Sequence, residues 1–478
     1  MNPRIFREND VRGRADVELD DATVDALGEA LGQRAAALSD APRAVVGRDG
    51  RLHSPRLAAT LIAALRRRCE VIDLGVAPTP LVSFACQRLA APVAVMVTGS
   101  HNPPEDNGFK ISVGGDSLHG AAIAALRDDV AALAAAGAAP APPRLHAVHE
   151  RALEDDYLRA ALAALRPGPR RLRVVVDGGN GAGGPLAVRL LRALGFEVTP
   201  LYCEIDGRFP HHHPDPTIEE NLRDLADAVV ATGAELGIGL DGDGDRIGVV
   251  DARRRVVWGD QLLILLGRAL LEERPRARLL AEVKCSQATF EALRAAGGEI
   301  EMWKVGHSLL KARMRETGAL LAGEMSGHFF FADRWLGFDD GLYAGARLLE
   351  LLSRGEETLS DLVDRLPETF NTPELRRPCA DARKASVVAD VAGALRGHPD
   401  VRAVIEIDGV RASFDGGWAL LRASTTQPLV VLRYEADSPA RLAEIRALMD
   451  DLVEPKLAAP RSDAPADPGA QPPLTPRG

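Results

Sequence analysis

Short aliphatic runs recur along the chain, and each ends in a loop of glycine and polar residues: RAVVGRDGR (43–51), VAVMVTGSHNP (93–103), LRVVVDGGNGAGG (172–184), AELGIGLDGDGDR (234–246) and ALLAGEMSGH (319–328). Between them lie Ala/Leu/Arg stretches with helical spacing, such as LAATLIAALRRR (57–68) and PLAVRLLRALG (185–195). The pattern predicts strand, loop, helix, strand, the grammar of α/β domains, in which ligands collect at the carboxyl ends of strands. It changes near residue 370. VIEIDGVRASFDGGWALLRAS (404–424) and PLVVLRYEA (428–436) predict antiparallel strands, with turns at Asp408-Gly409 and Asp415-Gly416-Gly417.

These shifts divide the chain. AAAGAAPAPPR (134–144) reads as a surface linker. The expected parts are an α/β domain over 1–145, a second over 146–250, a third over 251–368, and a smaller α+β domain over 369–455. From Lys456 on, Pro, Ala and Asp dominate, so a disordered tail is expected over 456–478. The fold class is α/β, with three mixed α/β domains and a C-terminal α+β domain.

Composition narrows the function. Of 478 residues 46% are apolar but only 4% aromatic, so the cores are aliphatic. No run of about twenty apolar residues appears, so no membrane span is expected. The N-terminus, MNPRIFREND, has no signal-peptide core. Five cysteines (69, 86, 203, 285, 379) form no C-x-x-C pair, which indicates a reducing cytoplasm without zinc or disulfides. A net charge of −10 speaks against nucleic-acid partners but allows a locally basic pocket for a small anion. Lysine occurs at only six positions (110, 284, 304, 311, 384, 456). One beside a glycine-rich loop points to work that arginine cannot do.

The most specific chemistry lies in Asp241-Gly242-Asp243-Gly244-Asp245-Arg246. Two like charges 4 Å apart cost about 4 kcal/mol at an effective dielectric near 20, so three adjacent carboxylates call for a counter-charge. Glycines let such a loop curl until its oxygens converge on a hard divalent cation. An EF-hand is excluded, because its glycine and glutamate positions hold Arg246 and Ala252. Magnesium suits a loop that offers few ligands and leaves room for phosphate. Thr98-Gly99-Ser100-His101-Asn102, closed by two prolines, sets a hydroxyl on a stiff turn at a strand's end. With Lys110 downstream, that group suits a phosphate; the plainer reading is a capped turn. Neither a G-x-S-x-G elbow nor a Walker A loop is present.

Other stretches are more ambiguous. Gly179-Asn180-Gly181-Ala182-Gly183-Gly184 fits G-x-G-x-x-G, but Asp177-Gly178 delays the turn, so no dinucleotide is expected. His211-His212-His213, bracketed by prolines, cannot all face one ion and reads as a packed loop. Glu324-Met325-Ser326-Gly327-His328 is either a cleft-facing loop or a capped turn. Arg422-Ala423-Ser424-Thr425-Thr426 suits a phosphate as well as it suits a polar hairpin tip.

Together these motifs resemble the α-D-phosphohexomutases, and within them the bacterial phosphomannomutase/phosphoglucomutase branch. The resemblance runs from about Ile5 to Glu454 and takes in IFRENDVRG, TGSHNP, DGRFPHHHPDP, DGDGDR, WKVGHSLLK, GEMSGH and RASTTQP in family order. It implies four domains around a central cleft. It implies a monomeric isomerase that interconverts the 1- and 6-phosphates of mannose and/or glucose through a phosphoserine and a bound 1,6-bisphosphate. Ser100 would carry the phosphoryl group, and its oxygen with Asp241, Asp243 and Asp245 would bind Mg²⁺. Lys110 is the implied proton acceptor, with His307 and His101 as rivals. Arg12, Arg246, Lys284 and His307 would contact phosphoryl group or sugar. Glu324, Met325, Ser326, Gly327 and His328 form the sugar loop, and Arg422, Ser424, Thr425 and Thr426 the phosphate loop. Glucose or mannose 1,6-bisphosphate is the implied activator. Asn9 and Thr425 depart from the branch, where an aromatic residue and Asn are usual. The alternatives are a phosphoglucosamine mutase, which usually carries Gln where Met325 stands, and a non-catalytic phosphosugar-binding protein, which intact Ser100, Lys110 and aspartates argue against.

Overall fold

The computed structural model describes residues 1–137, 144–424 and 427–458. Thr425 and Thr426, most of the linker and residues 459–478 lie outside the described residues. The chain forms two compact units, Met1–Glu368 and Thr369–Gly478. No helix among the described residues is long and apolar enough to cross a membrane.

Among the described residues the first unit contains three sheets. The first is built from β1 (Val11–Arg14), β2 (Arg43–Arg48), β3 (Glu70–Val76), β4 (Val93–Val97), β5 (Asp106–Val113), β6 (Asp116–Ser117) and β7 (Val148–Glu150). Its order is β1-β5-β4-β2-β3-β7, with β6 paired to β5. β4 is buried throughout because both faces are covered. Val93, Val95 and Val97 join the core with Leu27, Leu57 and Leu61. Ala94 and Met96 join the opposite core with Leu81 and Phe84. Burial on two sides turns the strand into the unbroken apolar run seen in the sequence.

The second sheet has β8 (Arg173–Asp177), β9 (Glu197–Leu201), β10 (Leu236–Leu240), β11 (Ile247–Asp251) and β12 (Val256–Val257), in the order β12-β11-β10-β8-β9. DGDGDR is the connection between antiparallel β10 and β11. The break expected at Val250 falls inside this sheet. Asp251 accepts hydrogen bonds from the amides of Arg253 and Arg255 and turns the chain into β12. The third sheet orders β13 (Arg278–Glu282), β14 (Glu299–Trp303), β15 (Leu321–Gly323) and β16 (Phe329–Phe331) as β14-β13-β15-β16. GEMSGH joins β15 to β16.

The second unit is an antiparallel sheet of β17 (Phe370–Asn371), β18 (Leu375–Pro378), β19 (Val401–Ile405), β20 (Val410–Phe414), β21 (Gly417–Ala423) and β22 (Leu429–Ala436). The two expected turns are present, with Gly409 and Gly416 at φ of 79° and 75°. Its last helix spans Pro439–Ala458, so Lys456 is helical and does not begin a tail. Leu457 packs on the core there, an anchor that tail composition conceals.

Candidate active site

The serine turn meets the acidic loop. Ser100 is fully buried, at φ of 50°, a left-handed conformation that costs a non-glycine residue about 1–3 kcal/mol. Its amide donates to Thr98 Oγ1 at 2.8 Å. Its Oγ donates to Asp241 Oδ2 at 2.7 Å and lies 3.1 Å from His101 Nδ1. The backbones touch as well, for a Cβ on Gly242 would sit 2.4 Å from the Ser100 carbonyl oxygen. Behind Gly242 stands Gly181, whose own Cβ would lie 2.6 Å from the Gly242 oxygen. The G-x-G-x-x-G stretch therefore backs the acidic loop. Gly242→Ala is expected to destabilise the protein by about 1–3 kcal/mol, which melting curves will check.

Asp241, Asp243 and Asp245 are fully buried, with one carboxylate oxygen from each inside a 4.8 Å cluster that could hold a metal ion. Asp243 Oδ1 and Asp245 Oδ1 have no hydrogen-bond partner. Three carboxylates, two of them with an unpartnered oxygen, fit a divalent cation as hard donors. Thr79 donates to Asp243 from both its hydroxyl and its amide. Lys110 Nζ pairs with Asp243 at 2.6 Å and with Asp245. Burial pushes the Asp241 carboxyl well above the usual range, and Asp243 and Asp245 add to the push. For Asp243 burial acts the same way, but Lys110 overcomes it and holds this carboxyl low. Burial also disfavours the Lys110 cation, yet Asp243, Asp245 and Asp241 prevail and hold its pKa above the lysine norm. In this arrangement Lys110 keeps its proton; to accept another group's proton it must first leave these carboxylates.

The basic side chains continue the network. His101 is held well below its usual pKa by burial and by Arg246, Arg12 and Lys110, so it is neutral. Arg12 donates to Asp10 at 2.6 Å and to Asn102 Oδ1 on the serine turn at 2.8 Å. Arg246 Nε donates to His328 Nε2 at 2.8 Å. That leaves the His328 proton on Nδ1, 3.5 Å from Asp339. Asp339 also takes Lys311 at 2.8 Å and faces His307 Nδ1 at 3.2 Å. In the sugar loop Glu324 accepts from the Gly306 amide at 2.8 Å and from Ser326 Oγ at 3.1 Å. The Met325 amide donates to Glu282, whose carboxylate lies 3.5 Å from Lys284 Nζ. Gly327, at φ of 90°, gives its carbonyl to the Ile247 amide, just after DGDGDR.

In the second unit Arg422 pairs with Asp408 at 3.1 Å, and Ser424 Oγ accepts from the Gln427 amide. Lys384 Nζ donates to the Ser424 carbonyl. The histidine loop is packed: His211 stacks on Tyr202 and sits 2.7 Å from Asn180, and His212 pairs with Asp177 at 2.9 Å.

Asp339 and Thr79 carried no local signal in the sequence, whereas Asn102 belongs to the serine turn already singled out there. Lys311 and Lys384 did carry one, because lysine is rare in this chain.

The chain matches the family described as "Phosphoglucomutase/phosphomannomutase" in four parts: alpha/beta/alpha domain I over residues 3–135, domain II over 155–254, domain III over 258–370 and the C-terminal domain over 374–452. The chain belongs to this family. A "Phosphomannomutase/phosphoglucomutase" of Pseudomonas putida is 43% identical over 462 residues, 95% of this chain and 97% of its relative. A "Phosphoglucomutase" of Neisseria gonorrhoeae is 39% identical over 456 residues, covering 94% and 96%. The crystal structure of a phosphoglucomutase/phosphomannomutase family protein from Burkholderia thailandensis superposes with a TM-score of 0.87 at 39% identity, covering 96% of this chain and 99% of that one. In this family member the three matched α/β domains each supply one loop to the first unit's network: TGSHNP, DGDGDR and GEMSGH.

Proposed function

We propose that this phosphohexomutase, an isomerase by its family, moves a phosphoryl group between O1 and O6 of glucose and/or mannose phosphate. A phosphoserine at Ser100 and a 1,6-bisphosphate that stays bound while it turns would carry the exchange. The observation that supports this most is the 2.7 Å contact of Ser100 Oγ with Asp241, inside a cluster of carboxylates with unpartnered oxygens.

A phosphoserine carries about −1.5 to −2 charges at neutral pH, and a sugar phosphate brings a similar load. Their approach demands strong compensation. Asp241, Asp243 and Asp245 would hold Mg²⁺, which supplies charge withdrawal from the phosphoryl group. The chain's own cations supply the rest. Arg12 braces the serine turn through Asn102, and Arg246 spans from the acidic loop to His328. His101, neutral and 3.1 Å from Oγ, would exchange a proton with that oxygen. Lys110 and His307 remain the other proposed proton carriers. Glu324 and Ser326 would hold ring hydroxyls, with Met325, Gly327, His328 and Lys284 shaping that contact. Arg422 and Ser424, with Thr425 and Thr426, are the proposed contacts of the substrate's own phosphate. The enzyme would act as a cytoplasmic monomer with glucose or mannose 1,6-bisphosphate as activator.

The test is a coupled assay on glucose 1-phosphate, mannose 1-phosphate and glucosamine 1-phosphate with Mg²⁺ and bisphosphate. Turnover of one or both of the first two is expected. Turnover of glucosamine 1-phosphate alone would overturn the substrate assignment.

A further inference from the structure

Beneath the serine turn lies a buried ion pair that no step above uses. β2 runs parallel to β4, with Arg48 opposite Val97, so the loops leaving the two strands emerge side by side. The first carries Asp49 and Arg51, which are 1% and 0% exposed. The Arg51 guanidinium donates to four carbonyls of the facing loop: Ser100 at 2.8 Å, Asn102 at 2.7 Å, Pro103 at 2.6 Å and Asp106 at 3.0 Å. Asp49 Oδ2 accepts from Thr98 Oγ1 at 2.7 Å and from the Gly99 amide at 3.3 Å. The same Thr98 oxygen accepts from the Ser100 amide at 2.8 Å. Amide and carbonyl of the serine are thus both tied, at one remove or none, to this one ion pair.

The packing is close. A Cβ on Gly99 would sit 2.7 Å from Arg51 Cζ, so the guanidinium lies flat against the turn. Buried ion pairs are weak stabilisers, since desolvation cancels most of their attraction. A planar fork is what four carbonyls on a curved loop require, and an ammonium cannot reach them together. None of these groups meets the reacting atoms.

We propose that Asp49, Arg51 and Thr98 are positioning residues that hold Ser100 in its left-handed conformation, and so set the rate of phosphoryl transfer without setting the affinity for sugar. This rests on the reading of Ser100 as the phosphoryl carrier. A displacement of about 1 Å in such a group costs about 10²-fold in rate.

Thr98→Val keeps the shape and removes both hydroxyl bonds, whereas Thr98→Ser keeps the hydroxyl. In the full-length enzyme with Mg²⁺, Thr98→Val is expected to lower kcat about 10- to 100-fold with KM for glucose 1-phosphate unchanged, and Thr98→Ser to restore kcat. Arg51→Lys, which keeps the buried charge, is the second variant and is expected to lower kcat in the same way. Wild-type kcat in either folded variant, a change in KM alone, or a loss that Thr98→Ser does not repair would overturn the positioning role. Peptide mass mapping of the wild-type enzyme separates the two claims. An unphosphorylated Ser100 in an active enzyme refutes the carrier reading itself. A phosphorylated one with full turnover in Thr98→Val refutes only the positioning role.

Discussion

Ser100→Ala is expected to lower mutase turnover by at least about 10⁴-fold and to leave the protein folded. The loss is large because the hydroxyl is the atom to which the phosphoryl group would be bonded between half-reactions; no neighbour can take that part. His101 and Asp241 flank it, but neither is placed to act as a second carrier of the same geometry. The fold survives because the serine's remaining bonds run through its backbone. Its amide is held by Thr98 and its carbonyl by Arg51, and alanine keeps both. Steady-state rates with saturating bisphosphate, alongside a melting curve, check this. Activity within tenfold of wild type would show that phosphoryl transfer bypasses Ser100.

Asp241→Asn separates stability from activity, and in opposite directions. Burial raises the Asp241 pKa in the folded state, with Asp243 and Asp245 adding. A raised pKa contributes stability that is fully present below the unfolded value, about 3.9, and is lost as pH rises through the folded value. At neutral pH the group therefore contributes less to the fold than it does at low pH. Asparagine removes the charge, and its oxygen can still accept from the Arg246 amide, now bonded to Asp241 at 3.1 Å. The metal-free variant should melt a few degrees above wild type at neutral pH, with the difference closing as pH falls toward the carboxylate range. Its Mg²⁺-dependent stabilisation should be lost and kcat should fall at least about 10²-fold. Asp243→Asn reverses the stability sign. That carboxyl is held low because Lys110 outweighs burial, so its contribution is present above the unfolded pKa and is lost as pH falls through the folded one. Its amide variant should melt below wild type at neutral pH. Thermal scans of both variants across pH, with and without Mg²⁺, decide the matter. A lower melting point for Asp241→Asn, or intact Mg²⁺ stabilisation in it, would contradict the electrostatics described here.

Much of this was legible in the chain itself. Strands covered on both faces leave unbroken aliphatic runs, so β4 and β10 declared themselves, and with them the loops at their ends. DGDGDR could be read for its charge, since three adjacent carboxylates need a partner wherever they fold. The hidden parts depend on contacts between distant positions. RDGR reads locally as a turn, and nothing in it tells that Arg51 reaches four carbonyls about fifty residues away. Asp339 sits in GFDDG, where an acidic pair before a helix looks like a cap; Asp340 does cap that helix, while Asp339 turns inward to Lys311 and His307. The strand that runs through the boundary expected at Val250 has the same origin. DARRR has the composition of a linker, yet Asp251 bends it into a hairpin. The charge of Lys110 was also beyond the sequence, because it depends on which carboxylates fold around the amine.

The central claim is that one buried site brings the loaded hydroxyl at position 100 and the carboxylates of the acidic loop together. Peptide mass mapping of purified wild-type enzyme, followed by a single-turnover chase with glucose 1-phosphate or mannose 1-phosphate, tests it most directly. The expected result is one phosphoryl group per chain, on Ser100, passed to the sugar with Mg²⁺ present and retained when the ion is chelated. An active enzyme with no phosphoryl group on Ser100, or transfer that chelation leaves unchanged, would contradict it.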